Sequence, residues 1–339
     1  MTHDSGTGNS SEDSSPSSIV SHPAIHQVHN GAPSPDDFTH SQDFWFADGS
    51  LIIICESTGF RVHAGILSLH CSVFRDMTCV GNPSGDRRID GAAVVALDDT
   101  ANDMACFLKA LYFRREGPMR AKLPVRELGA LLRLARKYMA DSLQEETLEH
   151  LTILFPSTLE SYRSSQRHLP LPPVFNPLEG VKIALDLHAP IILPAALYSS
   201  ALLDPDSCDF YKKADVRVMR AIMVFHDRHT RNIFDMVTKM SYFRSPKSCY
   251  GKGSDGCKGV SQTIGYTIID RYRALDFDIF KDRFVDQRSD AFWEDNKLCK
   301  ECAGKLEPTK LANRLWEEDL PTYCVDRDWE DWEDVEAVA

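Results

Sequence analysis

The first part of the chain changes from a strand-like to a helix-like spacing of apolar residues. Residues 51–55 form a continuous, β-branched apolar run that is typical of a buried strand, and the turn-forming pair Asp48-Gly49 precedes it. The run "GFRVHAG" follows at residues 59–65, so the two runs predict a β-hairpin. Ser72 is a candidate cap for a second short helix in the region that follows. The apolar positions at helical spacing there are Ile66, Leu69, Val73, Phe74 and Met77.

The pattern continues to about residue 155. Residues 92–99, "AAVVALDD", predict a short strand, and Asp99 or Thr100 is the candidate N-cap of the helix that follows. Residues 125–155 carry a long helical pattern that breaks near residues 140–142, and Pro156 closes it. Hairpin, helices, strand, helix and helix pair is the order of an α+β domain. A small three-strand sheet flanked by helices fits that order.

Composition divides the rest of the chain. Residues 1–42 are poor in large apolar residues, which predicts a disordered arm. Residues 157–245 form a helical region, residues 246–310 a cysteine-bearing segment, and residues 311–339 an acidic C-terminal tail. We therefore expect an α+β domain over residues 43–156, followed by a mainly helical C-terminal region.

Composition and charge narrow the class of protein. The 339 residues are 43% apolar and 26% charged, which is ordinary for a soluble globular protein of about two domains. The net charge of −12 disfavours a nucleic-acid partner. No secretory signal begins the chain, and the apolar stretch 189–203 is shorter than the roughly 20 residues of a membrane span. We expect an intracellular protein of the cytoplasm or nucleus, with no membrane partner and mostly reduced thiols.

The hairpin and the first helices resemble the BTB/POZ domain. The matching positions are Asp48, Phe60, Val62, His63, Leu67, Ser72, Phe74 and Met77. The later strand and helices also resemble this family in order and spacing, so that the resemblance covers about residues 43–155. Further along, the short runs "FPSTLESY", "LPAALY" and "LCKECAGKL" are similar to BTB proteins of mushroom-forming fungi.

The resemblance implies a protein-interaction module that acts as a scaffold or adaptor. It implies either self-association as a homodimer or service as a substrate adaptor of a cullin-type ubiquitin ligase, although the sequence shows no convincing cullin-contact motif. His63 is implied to be a scaffold residue where the second strand enters the first helix, and it has no Cys, Asp or His neighbour at ligand spacing. Asp48 is either part of a dimer-facing charged pocket or a turn residue.

Four cysteines of the second half suggest a metal site. Cys249 and Cys257 are separated by seven residues, and Cys299 and Cys302 by two. A Cys-x2-Cys pair can direct two thiolates to one tetrahedral ion, and a second pair would complete a structural zinc site. The alternative is four unrelated thiols, because the spacing of the first pair is loose. A redox role for the closer pair is disfavoured, because no thioredoxin-like βαβ pattern surrounds it.

A competing class is a metal-dependent enzyme that uses Cys and His residues of 208–324. His226 and His229 are three apart and would share a helix face, either as a metal pair or as a solvated helix end. The sequence contains no P-loop, nucleophile elbow or His-Glu-x-x-His motif. We therefore predict that the protein is not an enzyme.

Two further possibilities concern regulation and the tail. A transcriptional regulator is disfavoured by the acidic net charge and by the lack of a repeated finger motif. Residues 326–336, "DRDWEDWEDVE", place Trp329, Trp332 and Val335 on an i, i+3, i+6 line within an acidic segment. Such a segment could dock in a partner's groove, lie on this protein's own surface, or stay disordered.

Overall fold

The computed structural model has a mixed α+β architecture. The described residues from Thr39 onward cluster as one compact unit. Structure is described for residues 38–80, 87–113, 123–168, 175–203, 209–250, 256–259, 261–262, 265–266, 280, 299–302 and 313–324. Most of the predicted arm and all of residues 325–339 lie outside these ranges.

A five-stranded sheet forms the first layer. Its strands are β1 Thr39–Trp45, β2 Leu51–Cys55, β3 Thr58–Val62, β4 Arg88–Ile89 and β5 Ala92–Leu97. The strand order is β1-β3-β2-β5-β4, with β2 and β3 antiparallel and β2 parallel to β5. The predicted hairpin and the predicted strand at residues 92–99 are therefore confirmed.

The sheet is larger than the three strands expected from the sequence. Strand β1 pairs in parallel with β3 at the edge of the sheet and includes residues 39–42, which composition assigned to the arm. Most of its residues are polar and exposed, so it lacks the alternating apolar pattern that marks a half-buried strand. Phe44 is the buried residue that fixes β1 to the core.

The helices follow the predicted order. They are α1 Ala64–His70, α2 Ser72–Val80, α3 Ala101–Tyr112, α4 Val125–Lys137, α5 Asp141–Leu154, α6 Leu159–His168, α7 Pro177–Asp186, α8 Leu193–Ala201, α9 Val216–Ser241 and α10 Leu320–Tyr323. Thr100 is the N-cap of α3, since its side chain accepts a hydrogen bond from the backbone N–H of Asp103 at 3.2 Å. The predicted break near residues 140–142 lies between α4 and α5. No helix among the described residues is long and apolar enough to cross a membrane.

Two hydrophobic cores share helix α4. One face of α4 packs Leu131, Leu134 and Ala135 into a first core with the sheet and α1–α3, and this core also buries Phe74. An adjacent face packs Leu132 into a second core. Helices α5–α9 and the segment 315–324 supply most of the second core. The packing is therefore continuous across residue 156, where the sequence placed a domain boundary.

A buried carboxylate joins the sheet to α4. Asp99 lies two residues after the end of β5, and its side chain is only 1% exposed. It accepts hydrogen bonds from Arg133 Nη1 and Lys137 Nζ, each at 3.0 Å, and from the hydroxyl of Tyr138. Two cations and one hydroxyl therefore satisfy a charge that would otherwise be costly to bury. The sequence offered Asp99 as a helix cap, and the structure gives it this different role.

Candidate metal centre

The four cysteines singled out from the sequence lie together, although they come from two distant parts of the chain. The Sγ atoms of Cys249, Cys257, Cys299 and Cys302 all lie within 4.8 Å of one another. None of the four forms a disulfide. The four thiols are therefore close in space, and the cluster is a group of side chains that could hold a metal ion such as zinc.

Short local structure positions each thiol. The N–H of Cys249 donates to the carbonyl of Pro246 at 3.0 Å, which closes a turn before the first ligand. Cys257 lies in a short helical stretch. The N–H of Cys302 donates to the carbonyl of Cys299 at 3.0 Å, so a single turn brings the sulfurs of the Cys-x2-Cys pair to the same side.

The spacing of the sulfurs fits a tetrahedral ion. Four sulfurs at about 2.3 Å from one Zn²⁺ lie about 3.8 Å from each other. The Sγ atoms of Cys299 and Cys249 are 3.8 Å apart. That separation is far longer than the roughly 2.05 Å of a disulfide bond. The geometry therefore favours coordination of an ion over oxidation of the pair.

The cluster is enclosed by the chain. Cys257, Cys299 and Cys302 are buried, whereas Cys249 is half-buried. Phe243, which follows the end of α9, supplies an apolar wall. The N–H of Cys299 donates to Cys257 Sγ at 3.3 Å, a contact that stabilises negative charge on sulfur.

The thiols differ in their readiness to lose a proton. Burial raises the pKa of Cys299, but hydrogen bonds from the backbones of Tyr250 and Cys302 outweigh it and bring that pKa down to about 6. Burial, together with neighbouring sulfurs, raises the pKa of Cys257 and of Cys302. One thiolate is thus ready for a cation at neutral pH. A bound cation would promote ionisation of the others, because metal ligation releases thiol protons.

Contacts around the cluster tie its two halves together. The N–H of Lys300 donates to the hydroxyl of Tyr250 at 3.2 Å. The hydroxyl of Ser248 donates to Glu301 Oε2 at 3.3 Å. Both bonds join the segment after α9 to the Cys-x2-Cys turn, so contacts within the chain hold the four cysteines in place.

The other predicted site residues, Asp48 and His63, belong to a hydrogen-bonded network at the start of α1. His63 Nε2 lies 3.2 Å from Asp48 Oδ1, and the hydroxyl of Tyr112 contacts both the backbone N–H of His63 at 2.8 Å and its Nδ1 at 3.0 Å. The hydrogen bond from His63 lowers the pKa of Asp48. His63 therefore links β3, α1 and α3. Asp48, which is highly exposed, belongs to this network as well as to the turn before β2.

The two histidines of α9 do not form a solvated helix end. His229 lies in the interior of α9 and is 3% exposed. Its ring packs against Phe225, Tyr198 and Tyr323. Burial, with a smaller contribution from His226, lowers the pKa of His229 to about 3. Within the described residues, neither histidine joins the group of metal ligands.

Sequence reasoning missed an apolar surface on α1 and α2. Leu69 and Val73 fall on the apolar helical pattern, yet they are 75% and 36% exposed. Met139, after α4, is also exposed, and its carbonyl accepts a hydrogen bond from the N–H of Ser72 at 3.2 Å. The available signal was the number of apolar residues at positions 66–77, because two short helices cannot turn all of these side chains toward the core. We call Leu69, Val73 and Met139 the α1–α2 patch.

Comparison with known proteins adds no relative. The sequence matches no protein-family model, and a search of curated proteins finds no match either. Function is therefore inferred from the side chains that the fold brings together or leaves exposed.

Proposed function

We propose that this chain is a protein-interaction protein of BTB/POZ type, and that it self-associates through the α1–α2 patch. The single observation that carries the proposal is the exposure of Leu69 and Val73 at the junction between α1 and α2. The order of hairpin, helix pair, strand and three helices supports the family assignment. The role is that of a scaffold or adaptor.

The α1–α2 patch is suited to a second copy of itself. Burying a Leu or Val side chain is worth about 1.5–3 kcal/mol, so a patch that meets its own copy counts each contribution twice. Arg75 and Asp76 lie next to the patch and are both exposed, and a two-fold axis can place one charge opposite the other. The "FWF" run at residues 44–46 is less suitable, because Phe44 is buried and Phe46 stacks on Tyr112.

The test is the oligomeric state. Wild-type protein should sediment as a dimer at tens of micromolar, and Leu69→Glu with Val73→Glu should give a folded monomer. Ile153→Glu, at an exposed position on α5, is the matched control and should remain dimeric. A monomeric wild-type protein would refute self-association. Recovery of a cullin with the tagged protein from cells would support the adaptor role instead.

We also propose that Cys249, Cys257, Cys299 and Cys302 bind one structural Zn²⁺ as thiolates. Four thiolates fill a tetrahedral shell and leave no open position for substrate or water. The proposal therefore opposes the metal-dependent enzyme as an alternative. The free energy of binding would stabilise a polar segment that has little apolar core of its own.

Elemental analysis tests the zinc site. Protein prepared without chelators should carry about one zinc per chain, and Cys302→Ser should lose most of it. Cys79→Ser is the matched control, because Cys79 is exposed and stands apart from the cluster. Less than about a tenth of an equivalent in the wild type would reject the site.

A further inference from the structure

The outer face of α9 carries large apolar side chains that solvent reaches. Val216, Met223 and Phe234 are 82%, 68% and 41% exposed. Spacings of seven and eleven residues return to nearly the same angle on an α-helix of 3.6 residues per turn, so the three side chains form one stripe about 27 Å long. The opposite face, with Phe225 and Ile233, is buried in the second core. We call the exposed residues the α9 stripe.

The charge of α9 is opposite to that of the chain as a whole. The helix has five basic residues and two acidic ones, a net charge of +3 with neutral histidines. Arg220 and Arg231 are exposed on the same side as the stripe, and Arg231 pairs with Asp227 at 2.8 Å. Residues 326–336 have seven acidic residues and one arginine, a net charge of −6. Half of the net charge of −12 therefore lies in one short segment that also contains two tryptophans.

The described chain ends beside α9, two residues before the acidic segment begins. Helix α10 ends at Tyr323, whose carbonyl accepts a hydrogen bond from Arg228 Nη1 at 2.8 Å. The ring of Tyr323 also lies against Phe225, and Asn232 contacts its hydroxyl. The chain therefore leaves the described structure at Cys324, at the middle of α9 and between the levels of Met223 and Phe234.

We propose that residues 326–336 dock in cis on the α9 stripe, with the two tryptophans against Met223 and Phe234 and the acidic side chains beside Arg220 and Arg231. The five residues from Cys324 to Trp329 span up to about 17 Å, which is enough to pass around a helix of about 10 Å diameter. Attachment at Cys324 holds the segment at a high effective concentration near this one surface. A partner's acidic segment, or the segment of a second copy, would have to compete with it.

The experiment uses full-length chains and a fluorescent peptide of residues 325–339. In the chain with Trp329→Ser and Trp332→Ser, the chain's own segment is disabled, and the peptide should bind with an affinity that falls as salt rises. In the wild type the peptide should bind at least about tenfold more weakly, because the site is already occupied. Adding Met223→Glu to the disabled chain should abolish peptide binding. The matched control Ile191→Glu, which likewise replaces an exposed apolar residue, should leave peptide binding unchanged.

Three outcomes would overturn the proposal. The first is failure of the peptide to bind the disabled chain at about 1 mM. The second is equal binding to the disabled chain and to the wild type, which would mean that the segment does not occupy the site in cis. The third is binding that Met223→Glu leaves unchanged, which would place the peptide elsewhere. A hydrogen-exchange measurement on the full wild-type chain provides a second test. Exchange of α9 amides near Met223 should speed up when both tryptophans are replaced.

Discussion

The Asp99 network allows a quantitative prediction of stability. Asp99→Asn keeps the shape of the side chain but removes its charge and turns one acceptor atom into a donor. Two charge-assisted hydrogen bonds, from Arg133 and Lys137, and one from Tyr138 are weakened together. Charge-assisted bonds are worth about 1.5–3 kcal/mol each, but Arg133 and Lys137 are 40% and 35% exposed and can regain water. We therefore expect a loss of about 3 kcal/mol, at the lower end for breaking a buried pair.

The matched control is Asp98→Asn. Asp98 pairs with the same Lys137, but its side chain is 89% exposed, so the pair should be worth at most about 1 kcal/mol. Urea unfolding of both variants, followed by far-UV circular dichroism with zinc held in excess, measures the difference. An Asp99→Asn loss below about 1 kcal/mol, or one no larger than that of Asp98→Asn, would refute the assignment of the network as a stabilising link.

Three further predictions concern the cores and the helix ends. Phe74→Ala should lower the free energy of unfolding by about 3–5 kcal/mol in the same assay, because its ring is buried in the first core, and a loss below about 1 kcal/mol would contradict that packing. His188→Gly should raise the free energy of unfolding by about 0.5–1 kcal/mol, because His188 follows the end of α7 with a left-handed φ of 45°. The N–H of Ala189 donates to the carbonyl of Ala184, which is the helix-ending pattern that favours glycine at this position. An unchanged or lower free energy of unfolding would count against backbone strain at His188. Burial lowers the pKa of His229 from 6.5 to about 3, so the unfolded chain takes up a proton at higher pH than the folded chain does. The contribution of neutral His229 to the free energy of unfolding is therefore complete above pH 6.5 and is lost as pH falls toward 3. Between these limits wild-type stability should fall by about 1.4 kcal/mol per pH unit more steeply than that of His229→Gln, and equal slopes would show that the burial does not matter.

Local signals in the sequence were sufficient for much of the first core. The apolar runs at residues 51–55 and 59–65 predicted the hairpin, because the two strands are close in sequence and pair with each other. Thr100 was one of two candidate caps, and the structure selects it because Asp99 turns toward α4. The edge strand β1 escaped prediction, since its pairing with β3 depends on backbone hydrogen bonds that polar residues make as well as apolar ones.

The remaining differences are tertiary. The sequence grouped Cys249 and Cys257 with Cys299 and Cys302 as one candidate site, but the loose spacing of the first pair left four unrelated thiols as the alternative. Only the fold shows that the four sulfurs lie within 4.8 Å of one another. His229 was interpreted as a solvated residue because its polarity is visible in the sequence, whereas the aromatic neighbours that bury it come from α8 and α10. Leu69 shows the reverse case, an apolar residue on a helical pattern that the fold leaves in water.

Helix α4 makes the stability of the two cores interdependent. Its Leu131 and Leu132 are adjacent in sequence yet pack into different cores, so loss of the helix would expose both. We therefore expect the two cores to unfold in one transition, with no stable intermediate that keeps one core and loses the other. Linkage then extends to binding: a partner that recognises only the folded α1–α2 patch also raises the free energy of unfolding of the helical region that it never touches.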